Sequence, residues 1–178
     1  MSKKEALLKA AEHKVRIGGY DNFSFRELAN EVGIKSASVH YHFPTKADLG
    51  AELASQYTDA FLAALGDPDA IHADGKNPIE AYTRLFHHAL TTDNKMCLCG
   101  LLGAQGESLP DKVRTQVTRF FDENLAWLKH AHTLNGEDDP EYAAITTISL
   151  LQGAMMISKA LDDHRHFERA TKYPKKIT

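Results

Sequence analysis

The sequence predicts an all-α fold, with three short helices at the N-terminus and a larger helical part after them. Three observations point to it. Apolar residues recur at a period of about 3.6 through most of the chain. Alternating β-branched runs bounded by turns are nearly absent. In "SFRELANEVGIKSASVHYHFPTK", Ser24 to Lys46, two short amphipathic stretches are joined by a glycine turn and stopped by a proline.

The elements follow in order. A first helix is expected from about Lys3 to Ile17, with Leu7, Ala10, Ala11 and Val15 inward. Gly18 or Gly19 ends it, because glycine takes the left-handed conformation of a helix C-terminus. Ser24 caps a second helix, Glu27 three residues on completes a capping box, and Leu28, Ala29 and Val32 face inward until Gly33. The third helix, Ser36 to His42, is short because Pro44 forbids its continuation. Thr45 caps a long fourth helix carrying Leu49, Leu53, Tyr57, Phe61 and Leu65 at helical spacing. "GDPDAIHADGKNP" reads as a loop. Helices follow at about Pro78 to Thr92, Cys97 to Glu107, Pro110 to Thr133 and Pro140 to Asp163, and the tail from about Phe167 lacks a sustained pattern and is expected to fray. Residues 1–48 form one domain and 49–178 a second in this reading.

Composition narrows the function classes. With 178 residues, 43% hydrophobic and 25% charged, the chain can bury one or two small cores, and neither a disordered chain nor a coiled-coil rod fits. No apolar run approaches the roughly 18–20 residues that cross a bilayer, and the N-terminus lacks a signal-peptide pattern, so a cytoplasmic protein with no membrane partner is expected. Two cysteines, Cys97 and Cys99, make no disulfide framework. The net charge is −3, yet residues 1–50 hold eight Lys and Arg against six Asp and Glu, which leaves −5 for the remainder. The asymmetry is modest and points to a polyanion at the N-terminal end.

The Ser24 to Lys46 stretch has the chemistry to use one. Val39 and Phe43 can pack on Leu28 and Val32, which leaves Ser36, Ala37, Ser38, His40 and Tyr41 facing outward. Small hydrogen-bonding side chains on an exposed helix can approach base edges in a major groove. Tyr41 and His42 offer donors to phosphates, Lys46 a point charge, and the helix starts at Ser24 and Thr45 backbone N–H groups that attract anions. A plain polar connector helix is the competing account of the same residues.

Those residues also carry a resemblance. "FSFRELANEVGIKSASVHYHFPTKADL" resembles the DNA-binding domain of tetracycline-repressor-type (TetR-family) regulators through Ser24, Arg26, Leu28, Ala29, Gly33, Ile34, Tyr41, His42, Phe43, Pro44 and Lys46. The likeness covers about residues 5–53. Val39 and His40 stand where most relatives carry leucine and tyrosine, so the apolar anchor is kept and a groove-facing or phosphate-facing donor is altered. The resemblance implies an N-terminal helix-turn-helix DNA-binding domain, with Ser24, Arg26, Lys35, Ser36, Ala37, Ser38, His40, Tyr41, His42, Thr45 and Lys46 at the DNA, and a C-terminal helical domain for ligand binding and dimerisation. It further implies a homodimer on a palindromic double-stranded operator and repression relieved by a small-molecule effector, with no cofactor.

The C-terminal part offers residues for both roles. The helix from Pro140 carries Ala144, Ile148, Leu151 and Met155 on one side and Ile145, Ser149, Gly153 and Met156 nearby, more apolar surface than a single buried face uses. Pairing across a two-fold axis with the preceding helix gives a four-helix bundle. Phe86, Leu90, Leu98, Leu102, Phe120, Leu125, Trp127 and Met155 are candidates to line a pocket, with His87, Gln105 and Gln152 as polar contacts, although core packing explains each singly. Cys97 or Cys99 near a helix start is a candidate electrophile-sensing thiol, against the alternative of a small buried hydrophobe. The histidine pairs His87/His88, His130/His132 and His164/His166 are spaced too closely on a helix to gather a metal.

An enzyme is not expected. "GLLGAQG" follows no strand, and there is no G-x-S-x-G, H-E-x-x-H or P-loop pattern. A helical adaptor that binds another protein is the remaining alternative.

Overall fold

The computed structural model describes residues 2–172. Its elements are α1 (Lys3–Gly18), α2 (Phe25–Val32), α3 (Ser36–His42), α4 (Lys46–Leu65), α5 (Pro68–Ala73), α6 (Pro78–Thr91), α7 (Leu98–Gly103), a 3₁₀ turn (Gly106–Ser108), α8 (Asp111–Leu134), α9 (Pro140–Ala160) and α10 (Arg165–Lys172). No strand occurs among the described residues. The fold is all-α, with an N-terminal helix-turn-helix arrangement and a C-terminal helical part.

Two compact units share these helices. Residues up to 60 and 98–120 form one, and residues 61–97 with 121 onward form the other. In the first unit, Leu7, Ala11 and Val15 of α1 are buried, as are Leu28 and Ala29 of α2, Val39 of α3 and Phe43 just after it. Each large side chain so buried contributes about 1.5–3 kcal/mol relative to exposure. Gly33 turns the chain between α2 and α3 at φ 70°, and the Ile34 amide donates to the Ala29 carbonyl at 2.9 Å, which closes the end of α2. At Gly50 in α4 a Cβ would lie 2.7 Å from a Tyr20 ring carbon and 3.0 Å from a Val113 methyl, so only glycine lets these groups meet.

The second unit is built around aromatic rings. Tyr82 and Phe86, one helical turn apart on α6, stack at 5.5 Å, and the Phe61 ring meets both edge-on at 5.5 and 5.8 Å. Tyr82 is fully buried, so its hydroxyl needs a partner, and it donates to Asn124 Oδ1 at 2.8 Å. The pattern read for the helix from Pro140 holds here. Ala144, Ile148, Leu151 and Met155 are buried, while Ile145 and Met156 are half or more exposed.

Four expected boundaries need correction. Pro68–Ala73 is a helix inside the stretch read as loop: Asp67 caps it by accepting from the Asp69 amide at 3.2 Å, and Pro68 sits where a first-turn proline loses nothing. The helix expected from Cys97 to Glu107 ends at Gly103, and Gly106 at φ 53° starts the 3₁₀ turn. α9 stops at Ala160, with Asp162 at φ 49°, rather than reaching Asp163. The segment from Phe167 is helical up to Lys172: Asp163 accepts from the Arg165 amide at 3.0 Å, and Phe167 is fully buried. The expected fraying beyond that point lies outside the described residues.

Phe43 is the largest side chain anchoring the end of α3. Phe43→Ala is expected to cost about 3–5 kcal/mol. Urea unfolding should show it as a lower midpoint at unchanged slope.

Candidate nucleic-acid interface

α3 is seven residues long and has no side-chain cap at Lys35. A helix of that length does not hold itself in water, so its placement comes from contacts at its inward side. Val39 is fully buried, and the Phe43 amide donates to the Val39 carbonyl at 2.8 Å as the chain leaves the helix for Pro44. At about 100° per residue, Ser36, Ala37, His40 and Tyr41 fall within an arc of about 140° that excludes Val39. All four are exposed, Tyr41 to 86%. Ser38 and His42 lie at the edges of this face and are half-buried.

The His40 ring rests edge-on against Phe25 at 4.9 Å between centroids, and its Nδ1 lies 3.4 Å from the Pro44 carbonyl oxygen. These contacts give the imidazole a fixed orientation while it stays exposed. Tyr41 leans on His42 at 5.3 Å. Arg26 and Lys35 are exposed, and no carboxylate lies within ion-pair reach of either among the described residues.

The two flanking helix starts are closed by reciprocal caps. Ser24 N–H donates to Glu27 Oε2 at 2.8 Å while the Glu27 amide donates to Ser24 Oγ at 3.3 Å. Thr45 N–H donates to Asp48 Oδ2 at 3.1 Å, and the Asp48 amide returns a bond to Thr45 Oγ1 at 3.1 Å. The Ser24 and Thr45 amides offered as anion donors are therefore taken by carboxylates. The open first-turn amides are those of Phe25, Arg26, Lys46 and Ala47. The hydrogen bond from Ser24 holds the Glu27 carboxyl below its usual value, and hydrogen bonds from Lys112 and then Thr45 do the same for Asp48.

Lys46 carries more than a point charge. Its Nζ lies over the rings of Tyr20 at 4.8 Å and Phe23 at 4.6 Å, and 3.5 Å from Asp21 Oδ1. It ties the start of α4 to the loop before α2 and remains one-third exposed. Burial, then the neighbouring Asp21 and Asp48, push the Tyr20 phenol up to about 12, so it stays neutral beneath the ammonium. The Tyr20 amide donates to Gln105 Oε1 at 2.8 Å. Gln105, expected as a pocket contact, thus supports the turn ahead of α2. No local pattern marks this role, since the partners are 85 residues apart.

The other expected pocket residues divide between the units. Leu98, Leu102 and Phe120 are buried in the first, and Phe86, Leu90 and Met155 in the second, where Trp127 and Gln152 are half-buried. Trp127 donates to the Gly66 carbonyl at 2.9 Å. A cavity inside the second unit is lined by none of these. Cys97 and Cys99 are buried to 2% and 0% exposure, and the Cys97 amide donates to Met155 Sδ at 3.1 Å. A thiol that meets electrophiles needs access, which this burial denies. No cluster of three His, Cys, Asp or Glu side chains is placed to hold a metal among the described residues, and no helix there is long and apolar enough to cross a membrane.

Comparisons with known proteins follow this geometry. A family model described as bacterial regulatory proteins, tetR family, matches residues 7–53. A TetR transcriptional regulator from Legionella pneumophila is 33% identical, superposes with a TM-score of 0.87, and the match covers 97% of this chain and 95% of that one. A TetR-family regulator from Agrobacterium tumefaciens is 26% identical at a TM-score of 0.84, over 96% of this chain and 94% of that one. The fold also matches AibR, solved with isovaleryl coenzyme A and operator DNA, at 18% identity and a TM-score of 0.67, over 87% and 86% of the two chains. No curated protein gives a significant sequence match.

The depressed Asp48 carboxyl sets a pH dependence. A carboxyl whose folded pKa is lowered contributes stability above the ordinary value near 4 and loses it as pH falls through the lowered one. Asp48→Asn should therefore lower the urea midpoint at pH 7, and the gap to the parent chain should narrow by pH 3.

Proposed function

The chain belongs to the tetR family of bacterial regulatory proteins, which are DNA-binding transcriptional regulators, and we propose that it acts as a homodimeric repressor released from a palindromic operator by a small molecule. The observation that carries the DNA-reading part is the outward face of α3. Ser36, Ala37, His40 and Tyr41 are exposed on a helix fixed from behind by Val39 and Phe43. In this reading Ser36, Ala37, Ser38 and His40 meet base edges, and Tyr41, His42, Arg26, Lys35 and Lys46 meet phosphates, with Ser24 and Thr45 at the flanking helix starts.

Residues 1–48 are the DNA-binding domain in this proposal and residues 49–178 the domain for ligand and dimer. A stripe on α9 supports the dimer. Tyr142, Ile145, Met156, Ile157 and Leu161 are 47–62% exposed on the side away from the buried Ala144, Ile148 and Leu151. An exposed apolar face of this kind is what an isologous interface covers. Two copies place two α3 helices on half-sites about one DNA turn apart. A ligand that binds better to the state with mismatched spacing then releases the DNA. AibR, in its complex with a ligand and operator DNA, is a fold relative with both kinds of partner.

Retention on a promoter fragment, followed against salt, tests the reading. Lys35→Ala is expected to weaken binding on all sequences and reduce the salt slope by roughly 1, whereas changes at Ser38 or His40 shift sequence preference. Absence of binding at low salt would remove the proposal. For the dimer, Ile145→Glu with Met156→Glu should halve the mass seen in sedimentation, because each places a charge in an apolar contact.

A further inference from the structure

Inside the second unit a cavity of about 650 Å³ opens between the first turns of α6, the end of α8, the middle of α9 and the end of α10. Its size falls within the ~300–1,000 Å³ of small-molecule sites. His132 lines it and is only 7% exposed. The imidazole Nε2 lies 2.9 Å from Thr147 Oγ1, while Nδ1 has no partner. The Nδ1 atom is itself buried, so what His132 presents to the cavity is the rest of its ring.

The charged groups at the same cavity are also unspent. Glu80 and Arg84 stand four residues apart on α6, the spacing that closes helical ion pairs, yet they do not pair. Glu137 after α8 and Lys172 at the end of α10 likewise have no ion-pair partner among the described residues. Two carboxylates and two cations thus border one space, beside an apolar wall of Ile79, Leu150 and Leu151.

We propose that this cavity binds a zwitterion of about dipeptide size with an apolar side chain. Its carboxylate is held by Arg84 and Lys172, its ammonium by Glu80 and Glu137, and its side chain by the leucine and isoleucine wall. An anion alone would face two uncompensated carboxylates, and a cation two uncompensated cations. A neutral apolar ligand would leave all four charges without a partner. That this ligand is the effector rests on the regulator reading; that it binds does not.

Calorimetric titration of the full chain with the dipeptides Leu-Phe, Phe-Leu and Leu-Leu, in the absence of DNA, tests the proposal. The free dipeptides are expected to bind, and the N-acetyl and C-terminal amide forms of the best one to bind at least tenfold more weakly. Glu80→Gln should shrink the penalty of N-acetylation and Arg84→Gln that of amidation, a coupling that a merely structural role for these exposed residues would not produce. No binding of any free dipeptide, equal binding of the blocked forms, or penalties unchanged in the two variants would each overturn it. Duplex retention without peptide is measured separately, so failure of this site leaves the DNA-binding reading standing, and the reverse holds too.

Discussion

The burial of two side chains, Val39 and Phe43, governs what the N-terminal unit can do. Seven residues make fewer than two helical turns, and such a segment gains too few backbone bonds to offset its ordering. Its conformation is borrowed from the packing behind it. Pro44 follows at once and prevents any lengthening that would bury the outer residues. Since the anchors occupy one side, every polar residue on the other is presented in a single orientation. That pre-organisation is what a helix reading base edges requires, because ordering it on binding would subtract from affinity.

The surrounding contacts divide the work of positioning. Capping boxes fix where α2 and α4 begin, and each places a carboxylate at a helix N-terminus, where the backbone dipole favours it. Those carboxylates also dilute the positive field of a unit whose first fifty residues exceed neutrality by only two charges. Exposed cations such as Arg26 and Lys35, which have no ion pair among the described residues, then matter more than the total. The Lys46 ammonium over two aromatic rings joins the loop before α2 to α4, so one residue serves both internal order and the charged surface.

Local patterns made much of this legible in advance. Ser24 with Glu27, Gly33, Pro44 and the Leu28/Val39/Phe43 spacing specify α2 and α3 to the residue, since caps and breakers act within four positions. The same punctuation misled at Pro68–Ala73, where Asp67 and Pro68 open a helix instead of a loop. α10 was hidden because it is only eight residues long and strongly polar, with Phe167 its one buried side chain. At the candidate interface, exposure of Ser36, His40 and Tyr41 followed from the position of Val39. The attachment of Tyr20 to Gln105, the tie of Asp48 to Lys112 and the burial of the unpartnered His132 Nδ1 depend on long-range approach, which no window of sequence contains.

The bond from the Tyr20 amide to Gln105 spans 85 residues of chain. A ribosome adding about 5–20 residues per second delivers Gln105 roughly 4–17 s after Tyr20. Throughout that interval the nascent turn ahead of α2 lacks this acceptor. That turn therefore receives its last partner late, although it is translated early.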